Sequence, residues 1–234
     1  MDALSTRINS LPASATLAMA AKARELKNKG IDIIGLSLGE PDFNTPEFIK
    51  EAAINAVNEN WNSYSPVDGY ADLKEAICEK FKRDNNLDYK PSQVVVSTGA
   101  KQSIANLCLV LLDPGDEVLL PAPYWVSYSA IATLAEATST IIPSTIKNDF
   151  KITPEQLEAA ITPKTKLIMF NSPNNPSGTV YTEAEYRALG QVLIKHPNIC
   201  ILSDEIYEHI NYGISHFSIA AIPELYDRTI TVNG

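Results

Sequence analysis

From Gln93 onward the chain alternates short apolar runs with longer amphipathic stretches. Val94–Ser97, Glu117–Leu120, Ser139–Ile142, Leu167–Phe170, Ile199–Leu202 and Thr229–Val232 are strand-length runs. Gly99–Leu112, Trp125–Ala135, Pro154–Ile161 and Thr182–His196 lie between them and read as helices. Short buried strands alternating with helices predict βαβ units, a mostly parallel central sheet and a three-layer α/β/α architecture. Upstream, Ser5–Ser14 lacks a period and reads as an extended arm, and Thr16–Lys29 as a helix stopped by Gly30. Ile31–Leu38 follows as a strand, Pro46–Asn60 as a helix with Pro46 in its first turn, and Trp61–Gly69 as a polar, aromatic loop. Asp72–Arg83 places Leu73, Ala76, Ile77 and Phe81 at helical spacing.

Ligands of such sheets bind beyond the carboxyl ends of the strands, so the stretches that follow strands carry the candidate chemistry. Asn171–Gly178 reads Asn-Ser-Pro-Asn-Asn-Pro-Ser-Gly, a stiffened loop that could present Asn175, donor and acceptor both, to a bound molecule. Ser97-Thr98-Gly99-Ala100-Lys101-Gln102 joins a strand to a helix, and is either a plain tight turn or an anion site built from free amides. Asp204 ends an apolar run, where a carboxylate needs a partner; a protonated heteroaromatic nitrogen would serve, as would a capping role. Tyr207 could point the same way, and Trp125 could stack on a planar ligand; core packing is the plain alternative for both.

Composition narrows the classes. The 234 residues carry a formal net charge of −9, against nucleic acid or an anionic membrane as principal partner. Cys78, Cys108 and Cys200 form no C-x-x-C pair, which suggests buried thiols in a reducing compartment. The N-terminus lacks a secretory pattern and the apolar runs are too short to span a bilayer, so a cytoplasmic protein is expected. His196, His209 and His216 lack metal-ligand spacing, and neither a G-x-S-x-G elbow nor a G-x-G-x-x-G fingerprint occurs.

Four motifs in fixed order, Ser37-Leu38-Gly39-Glu40-Pro41-Asp42-Phe43, Ser97–Gln102, Asn171–Gly178 and Ser203-Asp204-Glu205-Ile206-Tyr207-Glu208, resemble the class I pyridoxal-phosphate aminotransferases, particularly the aspartate aminotransferase-like branch. The resemblance covers nearly the whole chain. It implies that residues 1–45 contribute to a small domain and that residues 46–234 form the cofactor-binding large domain. It implies a phosphate turn at Gly99, Ala100 and Lys101, a ring stacker in Trp125, and Asn175 with Tyr207 on the ring hydroxyl oxygen. Asp204 would keep the pyridine nitrogen protonated, Gly39 would contact the substrate carboxylate through its backbone, Trp125 and Asn175 would also bind substrate, and Tyr64 would reach the cofactor phosphate of a second subunit in a homodimer. The expected substrates are an aspartate-like amino acid and a 2-oxo acid. In the family a Ser-x-Lys or Ser-Lys segment follows the strand matching Thr229–Val232; this sequence stops at Gly234, so the Schiff-base lysine and the C-terminal domain are expected beyond it, and the fragment itself is expected to be inactive. A non-catalytic cofactor-binding or dimerisation protein, and a lyase or synthase of the same cofactor class, are the competing expectations.

Overall fold

The computed structural model describes residues 3–11, 13, 15–35, 39 and 43–234, with the backbone alone at 15 and 16. Its elements in order are α1 (Thr6–Asn9), α2 (Ala15–Asn28), α3 (Glu47–Asn58), α4 (Ala71–Asn85), α5 (Ala100–Leu111), β1 (Glu117–Pro121), α6 (Ser127–Leu134), β2 (Thr138–Ile142), α7 (Pro154–Ala160), β3 (Thr165–Asn171), α8 (Glu183–Ile194), β4 (Cys200–Asp204), α9 (Pro223–Tyr226) and β5 (Thr229–Val232). They divide into two compact units, Asn9–Ser65 and Pro66–Gly234 together with Met1–Ile8.

The unit of residues 9–65 contains α2 and α3. Residues 31–35 are not in a strand, and residues 36–38 of the expected strand lie outside the described residues. The Ser5–Ser14 arm opens with α1 instead of extended chain, because the Ser5 hydroxyl accepts the Ile8 N–H at 3.3 Å and starts a helical turn.

The larger unit is built on a five-stranded parallel sheet in the order β2-β1-β3-β4-β5. Successive side chains along a strand point to opposite faces, and both faces are apolar. Val118 and Leu120 of β1 with Leu167 and Met169 of β3 pack toward Ile104, Cys108, Tyr128 and Ile131 of α5 and α6. Leu119, Ile168 and Phe170 pack the other way, toward Leu157, Tyr186, Leu189 and Leu193 of α7 and α8. The central strands β1, β3 and β4 therefore carry consecutive apolar residues, as strands covered on both faces require, whereas the edge strands β2 and β5 interleave threonine or serine. Each fully buried Leu or Ile contributes roughly 1.5–3 kcal/mol.

Helix starts are set by local chemistry. In α7 and α8 the hydroxyls of Thr153 and Thr182 accept the N–H of Gln156 and Glu185, whose side chains return to the capping residue. The Arg228 guanidinium donates to the carbonyls of Leu193, His196 and Ile199, closing the C-terminal end of α8. Within this unit one expected strand does not form: Val94–Ser97 is outside the sheet, and its Val96 N–H donates to Asp68 O at 3.1 Å. Its pattern is β-like, but among the described residues it has no ladder partner.

Candidate active site

The strand order reverses at β1. The chain leaves β1 for β2 on one side and returns to β3 on the other, so the connections leaving β1 and β3 part at their carboxyl ends, where open α/β sheets bind ligands. Pro121 ends β1, Asn171 ends β3 and Asp204 ends β4, with Asn171 and Asp204 in register.

The loop after β3 is shaped by its own asparagines. Asn171 Nδ2 donates to the Asp204 carbonyl at 3.0 Å while its Oδ1 accepts the Asn175 N–H at 2.7 Å. Asn174 Oδ1 accepts the N–H and hydroxyl of Ser177, and Asn174 Nδ2 reaches Pro123 O at 3.2 Å in the loop after β1. The Ser172–Pro173, Asn175–Pro176 and Ala122–Pro123 bonds are cis. Asn175 is thus held by its backbone with its side chain left over, and its Nδ2 lies 3.4 Å from Tyr207 Oη.

Asp204 is the electrostatic centre. It is 3% exposed, and among the described residues no cation lies within 4.0 Å of it. Tyr128, from α6, donates its hydroxyl to Oδ2 at 2.6 Å, and the Ile206 N–H reaches Oδ1 at 3.3 Å. Burial raises the Asp204 pKa above the ordinary aspartate value; the two hydrogen bonds oppose this and the charge of Glu205 adds to it. Burial, and then the Asp204 charge, push the Tyr128 phenol far upward, so it remains a donor.

Trp125 stands edge-on to Tyr128 with centroids 5.5 Å apart, and the Lys101 ammonium lies 4.8 Å above the indole. A continuous series of contacts therefore joins Lys101, Trp125, Tyr128, Asp204, Asn171, Asn175 and Tyr207. Gly99, at the N-terminus of α5, has φ +85°, with nothing within 4 Å of where a Cβ would stand. The Gly99 N–H donates to Ser97 O at 2.8 Å, whereas the amides of Ala100 and Lys101 have no acceptor among the described residues. Two free donors at the start of a 12-residue helix suit an anion.

Seven of the nine residues singled out in the sequence, Gly99, Ala100, Lys101, Trp125, Asn175, Asp204 and Tyr207, lie on this connected set or directly beside it along the chain. Gly39 and Tyr64 belong to the other unit and are exposed; the neighbours of Gly39 at 36–38 and 40–42 lie outside the described residues. Sequence reasoning passed over Tyr128 and Asn171. Asn171 is a polar residue closing an apolar strand, a signal the sequence carried, whereas Tyr128, in the first turn of α6, carries no local sign of its partner. Among the described residues, no helix is long and apolar enough to cross a membrane.

Comparison with known proteins shows the family and the fold. Residues 31–234 match the family model described as aminotransferase class I and II. The chain is 50% identical over 236 residues to an aspartate/prephenate aminotransferase of Cereibacter sphaeroides, covering 100% of this chain and 59% of that protein. It is 51% identical over 233 residues to an aspartate aminotransferase of Bacillus subtilis, again covering 59% of the relative. Among solved structures, the aspartate aminotransferase from Rhizobium meliloti superposes with a TM-score of 0.95 at 45% identity, over 99% of this chain and 58% of that one. The Thermus thermophilus aspartate aminotransferase with maleate gives 0.95 at 42% identity, over 100% and 60%. The sequence thus spans about 59% of the length of the curated relatives it matches. With its motifs, its parallel sheet and most of its length accounted for in this way, the chain belongs to the aminotransferase class I and II family.

Proposed function

We propose that the whole protein is a pyridoxal-phosphate-dependent aminotransferase that exchanges an amino group between an aspartate-like amino acid and a 2-oxo acid. The observation that carries this reading is Asp204, a buried carboxylate with a raised pKa and no cationic partner among the described residues. Such a charge is costly unless a cation meets it, and a protonated pyridine nitrogen is a cation of the right size and hydrogen-bonding type. The rest of the donor set suits the same molecule: free amides at Ala100 and Lys101 for a phosphate, the Trp125 indole for a ring face, and the Asn175–Tyr207 pair for a ring hydroxyl.

In this reading the bound cofactor supplies an electron sink for charge that develops at the substrate α-carbon. Asp204 holds a proton on the ring nitrogen, and Tyr128 fixes the carboxylate that does so. Asn175 and Tyr207 would hold the cofactor's ring hydroxyl, and Trp125 would offer its indole to the ring and exclude water. Trp125 and Asn175 would bind substrate, Gly39 would offer its backbone to a substrate carboxylate, and Tyr64 would serve the site of a second subunit in a cytoplasmic homodimer. The lysine that would carry the cofactor is not assigned among these residues, which span about 59% of the length of that relative.

The test is an amino-transfer assay on the whole protein with aspartate and 2-oxoglutarate, with and without added pyridoxal phosphate, beside sedimentation for the dimer. Cofactor-dependent formation of oxaloacetate is expected. Absence of transfer from aspartate and from every other amino acid offered would contradict the reading.

A further inference from the structure

Along the turn 204–208, the two residues assigned to the cofactor alternate with two glutamates. Asp204 meets Tyr128 and Tyr207 meets Asn175, whereas Glu205 and Glu208, 1% and 7% exposed, point into a separate polar cluster. Glu205 accepts the hydroxyls of Ser203 at 2.8 Å and Ser218 at 2.6 Å, and lies 2.9 Å from His216 Nε2. Glu208 accepts the Asn85 amide at 2.7 Å and is ion-paired with Lys80, both on α4. Hydrogen bonds from Asn85 and Lys80 outweigh burial and hold the Glu208 carboxyl below the ordinary glutamate range. The backbone is pinned as well: Glu205 N–H to Val232 O at 2.8 Å, Glu208 N–H to Glu205 O at 3.0 Å.

The ligand atoms of Glu205, Glu208 and His216 lie within 4.8 Å of one another, a spacing a metal could bridge. Their oxygens are already committed to two hydroxyls, an amide, an imidazole and an ammonium, and Lys80 supplies positive charge there. His209 Nε2 also lies 3.1 Å from Glu208, and although His216 Nδ1 is buried without a partner among the described residues, glutamate oxygens committed this fully favour rigidity. The cluster ties the turn to α4, to the segment His216–Ser218 and to the end of β5.

We propose that Glu205 and Glu208 are positioning residues, which lock alternate positions of the turn into a buried polar cluster and thereby set where Asp204 and Tyr207 are presented. This rests on the assignment of Asp204 and Tyr207 to the cofactor. Neither glutamate touches the reacting atoms. Their effect is to remove the freedom of a turn whose residues must be held within a fraction of an ångström.

The test uses Glu205→Gln and, as a milder change, Ser218→Ala, which removes one donor to Glu205 and the acceptor of the Ala220 N–H and leaves every charge in place. Both are made in the full chain, and pyridoxal phosphate affinity is read by tryptophan quenching under conditions where circular dichroism shows the fold intact. Glu205→Gln should raise Kd about tenfold, the loss of hydrogen bonding to a charged group, and Ser218→Ala should raise it less. The Tyr207 ring resonances, followed by NMR without cofactor, should shift in both. If urea midpoints fall while Kd and the Tyr207 resonances stay at wild-type values, the cluster is merely structural and the proposal is overturned. Should Glu205→Gln fail to fold, Ser218→Ala decides. Asp204→Asn measured alongside separates the two readings: wild-type affinity there overturns the cofactor assignment, and the Tyr207 resonances then decide positioning alone.

Discussion

Asp204 is an expensive residue. A carboxyl that holds its proton more tightly when folded than when unfolded weakens the fold as pH rises from the ordinary aspartate value of 3.8 through its raised folded value. At neutral pH the cofactor-free chain therefore carries a penalty at this position, and Asp204→Asn should flatten the fall in stability that urea titrations show across that window. Functional sites hold residues that cost stability. In the whole protein, Asp204→Ala should lower turnover roughly 10²-fold or more, the scale set by removing one preorganised electrostatic contact; unchanged turnover would remove Asp204 from the mechanism. Tyr128 tests the same charge from the other side. Tyr128→Phe deletes a 2.6 Å bond to a buried carboxylate, so stability at pH 7 should fall by about 1.5–3 kcal/mol. Because that bond lowers the Asp204 pKa, its loss should move the Asp204 titration, followed by carboxyl ¹³C NMR, still higher.

At the scale of elements, the site depends on connections being held while strands supply the frame. The loop after β3 is fixed by Asn171 and Asn174 on one side and by the start of α8 on the other. Thr182→Ala removes the hydroxyl of the capping box with Glu185 and should cost about 1 kcal/mol in urea denaturation. The strand–helix alternation from Glu117 to Val232 was legible in the sequence because central strands buried on both faces leave unbroken apolar runs. Asn175 and Asp204 were legible because polar residues just beyond such runs stand out. Val94–Ser97 shows the limit: apolar pattern reports burial and β preference, but a strand also needs a neighbour, which the pattern does not encode. Tyr128 was hidden for a related reason, since a tyrosine on a helix reads as core until the carboxylate 76 positions away is seen at its hydroxyl. The Glu205 and Glu208 cluster draws on α4, β4 and the segment at 216–218, and no local spacing announces it.

At the scale of the whole molecule, the chain spans about 59% of its curated relatives and exposes large apolar side chains. Leu17, Phe48 and Val57 in one unit, and Val110 in the other, are 69%, 71%, 77% and 80% exposed. Apolar surface of this kind favours association. The 234-residue chain should enhance the fluorescence of the dye ANS, and no enhancement would show that these side chains form no apolar patch. The central claim is that Asp204 keeps a buried charge for a cationic ring. One variant tests it most directly: Asp204→Asn in the cofactor-free chain, with urea stability and pyridoxal phosphate affinity both measured at pH 7. Greater stability together with affinity weakened about tenfold or more is the predicted result. An Asp204→Asn variant that binds pyridoxal phosphate as tightly as the wild type would contradict it.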